Sequence, residues 1–93
     1  MRVRWLRTAL ANLEAEAEYI AHDNPAAVRV VTAIKQAVTQ LRRYPALGRP
    51  GRVSGTRELV VPGTPYIIPY RVRNDAVEVL RVFHAARKWP KKF

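Results

Sequence analysis

Between Arg57 and Phe83 the chain is punctuated in a way that leaves little but strands. The runs 57–61, 66–73 and 76–83 are dominated by β-branched, aliphatic and aromatic residues, and they are separated by Pro62-Gly63-Thr64-Pro65 and by Asn74-Asp75. Residues of the first kind suit a pleated surface, and residues of the second kind suit the backbone of tight turns. The last run carries Val77, Val79, Leu80 and Val82, which places apolar side chains on both of its faces and predicts a central strand. Pro69 has no N–H to give to a neighbour, so the middle run must bulge there or leave that edge unpaired. His84 ends the last run, and residues 84–93 form a basic, aromatic tail.

What precedes this stretch reads as its cover. Met1–Trp5 alternates, with Val3 and Trp5 on one side and Arg2 and Arg4 on the other, as in a short strand that pairs with the later sheet. Thr8 is the expected N-cap of a first helix running to about His22. Its apolar positions Leu10, Leu13, Ala17 and Ile20 build one stripe, and Glu14, Glu16 and Glu18 read as a solvated face. Asn24-Pro25 starts a second helix, with Asn as cap and Pro at the first helical position. This helix should run to about Arg43 on the stripe Ala27, Val31, Ile34, Val38 and Leu41. The short link around Asp23 makes the pair an antiparallel hairpin, and Pro45 ends the second helix at Tyr44. Residues 44–56, rich in Gly and Pro, are a connector too long for a simple turn. The expected fold is therefore α+β over residues 1–93. It is a small antiparallel sheet in the order β-α-α-β-β-β, with a two-helix hairpin packed on one face.

Composition narrows the chemistry. Ninety-three residues make one small domain with a modest core. There is no cysteine, which excludes disulfides and thiolate metal sites. His22 and His84 show no ligand spacing, so neither a metal nor another cofactor is expected. The chain has no apolar run long enough to span a membrane and no apolar signal core, so a cytoplasmic location away from membranes is the expectation. The charge is uneven. Residues 1–41 hold five basic and four acidic side chains, and residues 42–93 hold twelve basic and three acidic, so nearly all of the +10 lies in the second half. Thirteen of the seventeen cations are Arg, which favours forked contacts with phosphate or carboxylate. Such a field implies a polyanionic target, an acidic protein partner, or both.

Several side chains stand out beside simpler alternatives. His84 has the acid–base range of a catalyst, although a strand-end His more often bonds backbone. Arg71, Arg73 and Arg81 can form a phosphate-binding face, with Arg73 equally at home as a solvated hairpin end. Arg57 beside Glu58 reads as half of a cross-strand pair. Arg49 and Arg52 sit in the connector, as a direct contact or as part of a plain linker. Arg87, Lys88, Trp89, Lys91, Lys92 and Phe93 interleave cations with aromatics, which suits stacked bases, an acidic protein surface, or a frayed terminus. Trp89, expected to be exposed, is the natural anchor among them.

The ordered set of segments resembles the RelE/ParE superfamily of type II toxin–antitoxin toxins. It comprises Asn24-Pro25-Ala-Ala, Tyr44-Pro-Ala-Leu-Gly-Arg-Pro-Gly51, Arg57-Glu-Leu-Val-Val, Pro65-Tyr-Ile-Ile-Pro-Tyr-Arg-Val72 and Val79-Leu-Arg-Val-Phe-His-Ala-Ala-Arg87. RelE-like members cut mRNA on the ribosome, whereas ParE-like members act against DNA gyrase. RNA cleavage needs groups that activate the 2′-hydroxyl, stabilise the phosphorane and protonate the leaving oxygen. The resemblance matches the nuclease's middle-strand Arg to Ile67, its Lys pair to Glu58 and Val60, its late Arg to Arg87 and its C-terminal Tyr to Phe93. Most of the nuclease set is thus absent, and the resemblance points to the ParE branch. It implies gyrase inhibition by binding, with Arg81, His84, Arg87, Lys88 and Trp89 as target-binding residues. The implied partner is an acidic antitoxin encoded nearby, whose C-terminal segment folds onto the helix hairpin and sheet in a hetero-oligomer. The alternative is a metal-independent mRNA endonuclease that uses His84 and Arg87, with Arg57 or Arg71 as phosphate clamps.

Overall fold

A computed structural model of the protein describes residues 1–21 and 25–93. The elements in order are β1 (Arg2–Trp5), α1 (Arg7–Ala21), α2 (Ala26–Gln40), β2 (Arg49–Pro50), β3 (Arg57–Val60), β4 (Tyr66–Arg73), β5 (Ala76–Val79) and β6 (Phe83–His84). The sheet runs β1-β5-β4-β3-β2, with β6 on one end of β4. The expected α+β architecture is present, and β5, β4 and β3 are the inner strands.

The sheet is mixed rather than wholly antiparallel, because β1 runs parallel to β5, from Arg2 opposite Ala76 to Trp5 opposite Val79. Parallel neighbours need a long path between them, and the two helices and three other strands supply it. The connector contributes the short edge strand β2, antiparallel to β3. The run expected over 76–83 is two strands. Tyr70 faces Val79 and Ile67 faces Phe83, so residues 68–69 of β4 oppose residues 80–82, a bulge opposite Pro69. The Leu80 N–H bonds the Pro69 carbonyl at 2.9 Å. The reciprocal bond would need an N–H at position 69, and the Leu80 carbonyl instead accepts the Arg81 guanidinium at 2.6 Å. At the other end of β4, Asn74 and Asp75 turn the chain with φ of 52° and 58°. Two successive positive values are the signature of a type I′ hairpin.

α1 begins at Arg7, so Thr8 lies within its first turn instead of capping it, and the Leu10 N–H bonds Leu6 O at 3.1 Å. Its buried side is Ala9, Leu13 and Glu16, and Leu10 is 47% exposed. The stripe is thus turned by one residue from the one expected. α2 buries Ala27, Ile34, Ala37 and Val38, followed by Leu41, and its helix stops at Gln40. The Asn24 cap, the link around Asp23 and His22 lie outside the described residues.

The two helices cover one face of the sheet. Ile34, Val38 and Leu41 pack with Leu59, Tyr66, Ile68, Tyr70, Val77 and Val79, and with the half-buried Val3 and Trp5. Each fully buried aliphatic side chain contributes about 1.5–3 kcal/mol. Tyr70, fully buried, also fixes the connector: its hydroxyl donates to Pro45 O at 2.7 Å and accepts the Gly48 N–H at 2.8 Å. A Cβ at Gly48 would lie 2.6 Å from the Tyr70 ring and 2.9 Å from Glu58 O, which is why only glycine fits there.

Candidate functional site

Strand register divides the functional residues between the two faces of the sheet. Tyr70, Ile68 and Tyr66 point to the helices, so Ile67, Pro69, Arg71 and Arg73 occupy the outer face. Arg57 pairs with Tyr70 and therefore lies on the helix side, whereas Glu58 pairs with Pro69 and faces out. Arg57 and Glu58 are not partners. The Arg57 guanidinium instead donates to Gly48 O at 2.8 Å, holding the connector.

On the helix side, β6 and the first turn of the tail meet α1. Glu16 is 4% exposed, so the expected solvated glutamate is a buried one. Its Oε2 accepts the Tyr66 hydroxyl at 2.9 Å, and its Oε1 pairs with the Arg87 guanidinium. Burial, then the Glu16 hydrogen bond and charge, push the Tyr66 phenol up to about 12. His84 stands edge-on to the Tyr66 ring at 5.7 Å, and its Nδ1 accepts the Ala86 N–H at 3.1 Å. The neutral ring therefore carries its proton on Nε2.

On the outer face the end of the tail folds back over the sheet. Trp89 packs edge-on to Phe83 at 4.9 Å, and the Arg52 guanidinium lies over its ring at 3.9 Å. Trp89 is half-buried rather than exposed, and its Nε1 is buried without a hydrogen-bond partner among the described residues. An orphaned donor of this kind costs about 1–3 kcal/mol. Phe93 lies 6.2 Å from Phe83, with Arg81 5.3 Å from its ring. Glu58, 2% exposed, gathers the connector: it accepts Arg49 Nη2 at 3.1 Å and the Arg52 N–H at 2.8 Å. Glu78, 5% exposed, accepts Arg71 Nε at 2.7 Å and sits 3.5 Å from Arg4 Nη1. The Arg71 bond holds the Glu78 carboxyl below the usual carboxylate range, with further help from the charges of Arg4 and Arg73.

The structure thus brings His84 and Arg87 together and leaves Lys88 exposed beside them. Arg81 and Trp89 lie on the tail's outer-face side. The two arginines that would clamp a phosphate, Arg57 and Arg71, are on opposite faces of the sheet. Glu16 and Tyr66, which hold this site together, were not singled out from sequence. Their only signal there is Glu16 standing at i+3 from Leu13 on the buried stripe.

A family model described as ParE toxin of type II toxin-antitoxin system, parDE, matches residues 3–89. The toxin Y4kP of Sinorhizobium fredii is 53% identical over 90 residues, covering 96% of this chain and 93% of that protein. Toxin RelE2 of Caulobacter vibrioides is 39% identical over 87 residues, covering 92% of this chain and 97% of that protein. Among solved structures, the chromosomal ParDE system of P. aeruginosa superimposes with a TM-score of 0.81 at 31% identity, covering 90% of this chain and 95% of that one. The toxin–antitoxin complex RelBE2 of Mycobacterium tuberculosis gives a TM-score of 0.65 at 30% identity, covering 89% and 95%.

Proposed function

This chain belongs to the ParE toxin family of type II toxin–antitoxin systems, and from that premise we propose that it arrests growth in the cytoplasm by binding DNA gyrase rather than by cutting mRNA. The observation that carries this reading is the engagement of Arg87. It is the one residue that matches the nuclease set, and a buried carboxylate already neutralises it. A guanidinium held by Glu16 is poorly placed to stabilise a phosphorane. Ile67 and Phe93 offer no polar group at the other matched positions, and Arg57 and Arg71 do not converge on one phosphate. The residues proposed to meet the target are Arg81 and Trp89 on the outer-face side of the tail and His84, Arg87 and Lys88 on its helix side.

An antitoxin partner follows from the family. We place its docking on the helix layer, where Ala17, Glu18, Ala27, Val28, Val31 and Thr32 line an apolar furrow of about 360 Å³. Val28 in its wall and Tyr19, the residue after Glu18, are 71% and 79% exposed. Exposed apolar surface of this kind on a small protein suits a partner helix, and the +10 charge suits an acidic one.

The test is a gyrase supercoiling assay with purified protein, with and without the antitoxin encoded beside it. Inhibition or trapped cleavage complexes, relieved by antitoxin, are the expected result. No effect at large molar excess overturns the gyrase reading. The endonuclease reading draws on the contact of His84 and Arg87 with one cluster. It predicts cut mRNA on translating ribosomes, abolished by His84→Gln with the fold intact.

A further inference from the structure

The outer face carries a second cationic feature, away from the tail. Register places Arg2 opposite Ala76 and Ala76 opposite Arg73, and in the next row Arg4 opposite Glu78 and Glu78 opposite Arg71. Val3, Trp5, Val77 and Val79 point to the helices, so all four arginines rise from the same open face. With strands roughly 4.8 Å apart and about 3.3 Å per residue, the array is about 10 Å wide and its rows are about 7 Å apart.

From this arrangement we infer that Arg2, Arg4, Arg71 and Arg73 form a docking surface for the sugar–phosphate backbone of nucleic acid. Two of the four guanidiniums, those of Arg4 and Arg71, flank one carboxylate, Glu78. Glu78 bonds Arg71 through Nε, so that fork's two terminal nitrogens have no hydrogen-bond partner among the described residues, and it sits 3.5 Å from the Nη1 of Arg4. Arg2 and Arg73 have no carboxylate partner among the described residues. In the middle of the row between them is Ala76, 2% exposed and too short to obstruct an approaching oxygen. The array offers no aromatic or aliphatic anchor, which a protein partner would need at the centre of its interface. A flat set of separate forks instead meets successive phosphates, each contact positioning the backbone without reading sequence. Gly-rich or helix-terminal cradles, which favour a single small anion, play no part in it.

This inference does not rest on the gyrase reading, and its assay contains no gyrase. The probe is a fluorescein-labelled 20-base-pair DNA duplex followed by anisotropy over a range of salt concentrations. Wild-type protein should bind with log K falling linearly in log salt. Arg2→Gln/Arg73→Gln should flatten that slope by nearly 2, since each lost phosphate contact removes about 0.9, and should weaken binding at least tenfold at low salt. Arg7→Gln/Arg29→Gln removes the same charge from the helices and should leave the slope unchanged. Both variants replace exposed side chains that hold no ion pair among the described residues, and matching thermal melts confirm that they fold. An unchanged slope in the Arg2/Arg73 variant overturns the inference. So does an equal loss in the Arg7/Arg29 variant, which would mean that only net charge matters. A single-stranded RNA of the same length, run in parallel, distinguishes the two backbones. Binding of either through these arginines supports the surface.

Discussion

Glu16, in the middle of α1, and Arg87, in the tail, form an ion pair across 71 residues of chain. The same carboxylate takes the Tyr66 hydroxyl, so one buried acid fastens helix, sheet and tail at a single point. The tail is thereby part of the folded body at Arg87 and Trp89 and not a loose end.

Replacing Glu16 tests that fastening. Glu16→Ala strands the buried Tyr66 hydroxyl and should cost about 1–3 kcal/mol in urea unfolding. Tyr66→Phe in the same background should recover part of the loss, with a coupling energy of roughly 0.5–3 kcal/mol in a double-mutant cycle. Additive effects would mean that the two side chains act independently.

Tyr66 sets an alkaline limit. Its phenol is raised from the ordinary tyrosine value to about 12, so the folded state prefers the protonated form more than the unfolded chain does. That contribution is complete below pH 10 and is lost as pH rises toward 12. The difference between wild-type and Tyr66→Phe phenolate titrations should show one tyrosine ionising near pH 12. Stability of the wild type should fall more steeply than that of the variant over the same interval.

Glu78 sets an acid limit of opposite sign. Its carboxyl is held below its ordinary value by Arg71, so its stabilising contribution is present above the pKa of the unfolded chain and is lost as pH falls through the folded value. Denaturant midpoints from pH 7 down to pH 2 should fall less steeply in Glu78→Gln than in wild type. Arg71→Gln should reduce the steepness in the same direction. Parallel curves for wild type and both variants would count against the ion pair.

The β4–β5 turn is open to improvement. Asp75 holds φ at 58°, where an L residue is strained by about 1 kcal/mol and glycine is not. Asp75→Gly makes the Asn-Gly pair that such two-residue hairpins favour. It should raise the melting temperature, and a lowered value would mean that Asp75 holds the turn in some other way.

Local chemistry made the strands and turns readable. Asn74-Asp75, Pro69 and the apolar 76–83 run each announced a place in the sheet, because turns, proline and burial act over a few neighbouring residues, although the run divides at its bulge into β5 and β6. The phase of α1 was not readable, because Leu10 looks like a better core residue than Ala9. What turns the helix is the docking of Glu16 against Tyr66 and Arg87, partners 50 and 71 residues away. The parallel pairing of β1 was hidden for the same reason, since alternation marks a strand but not its neighbour or direction. The candidate residues at 81–89 stood out by type. Their arrangement did not, because it depends on which face each strand position takes and on carboxylates supplied by α1 and β3.

The pairing of β1 with β5 has a consequence for the chain during its synthesis. Arg2 waits for Ala76, and at roughly 5–20 residues per second that interval lasts on the order of 4–15 s. Through that time the two helices have no completed sheet to dock on, so their apolar stripes stay uncovered in the nascent polypeptide. A partner made alongside can reach these surfaces before the sheet closes. A chain that stops short of β5 leaves β1 without its strand partner and the helices without a closed sheet beneath them.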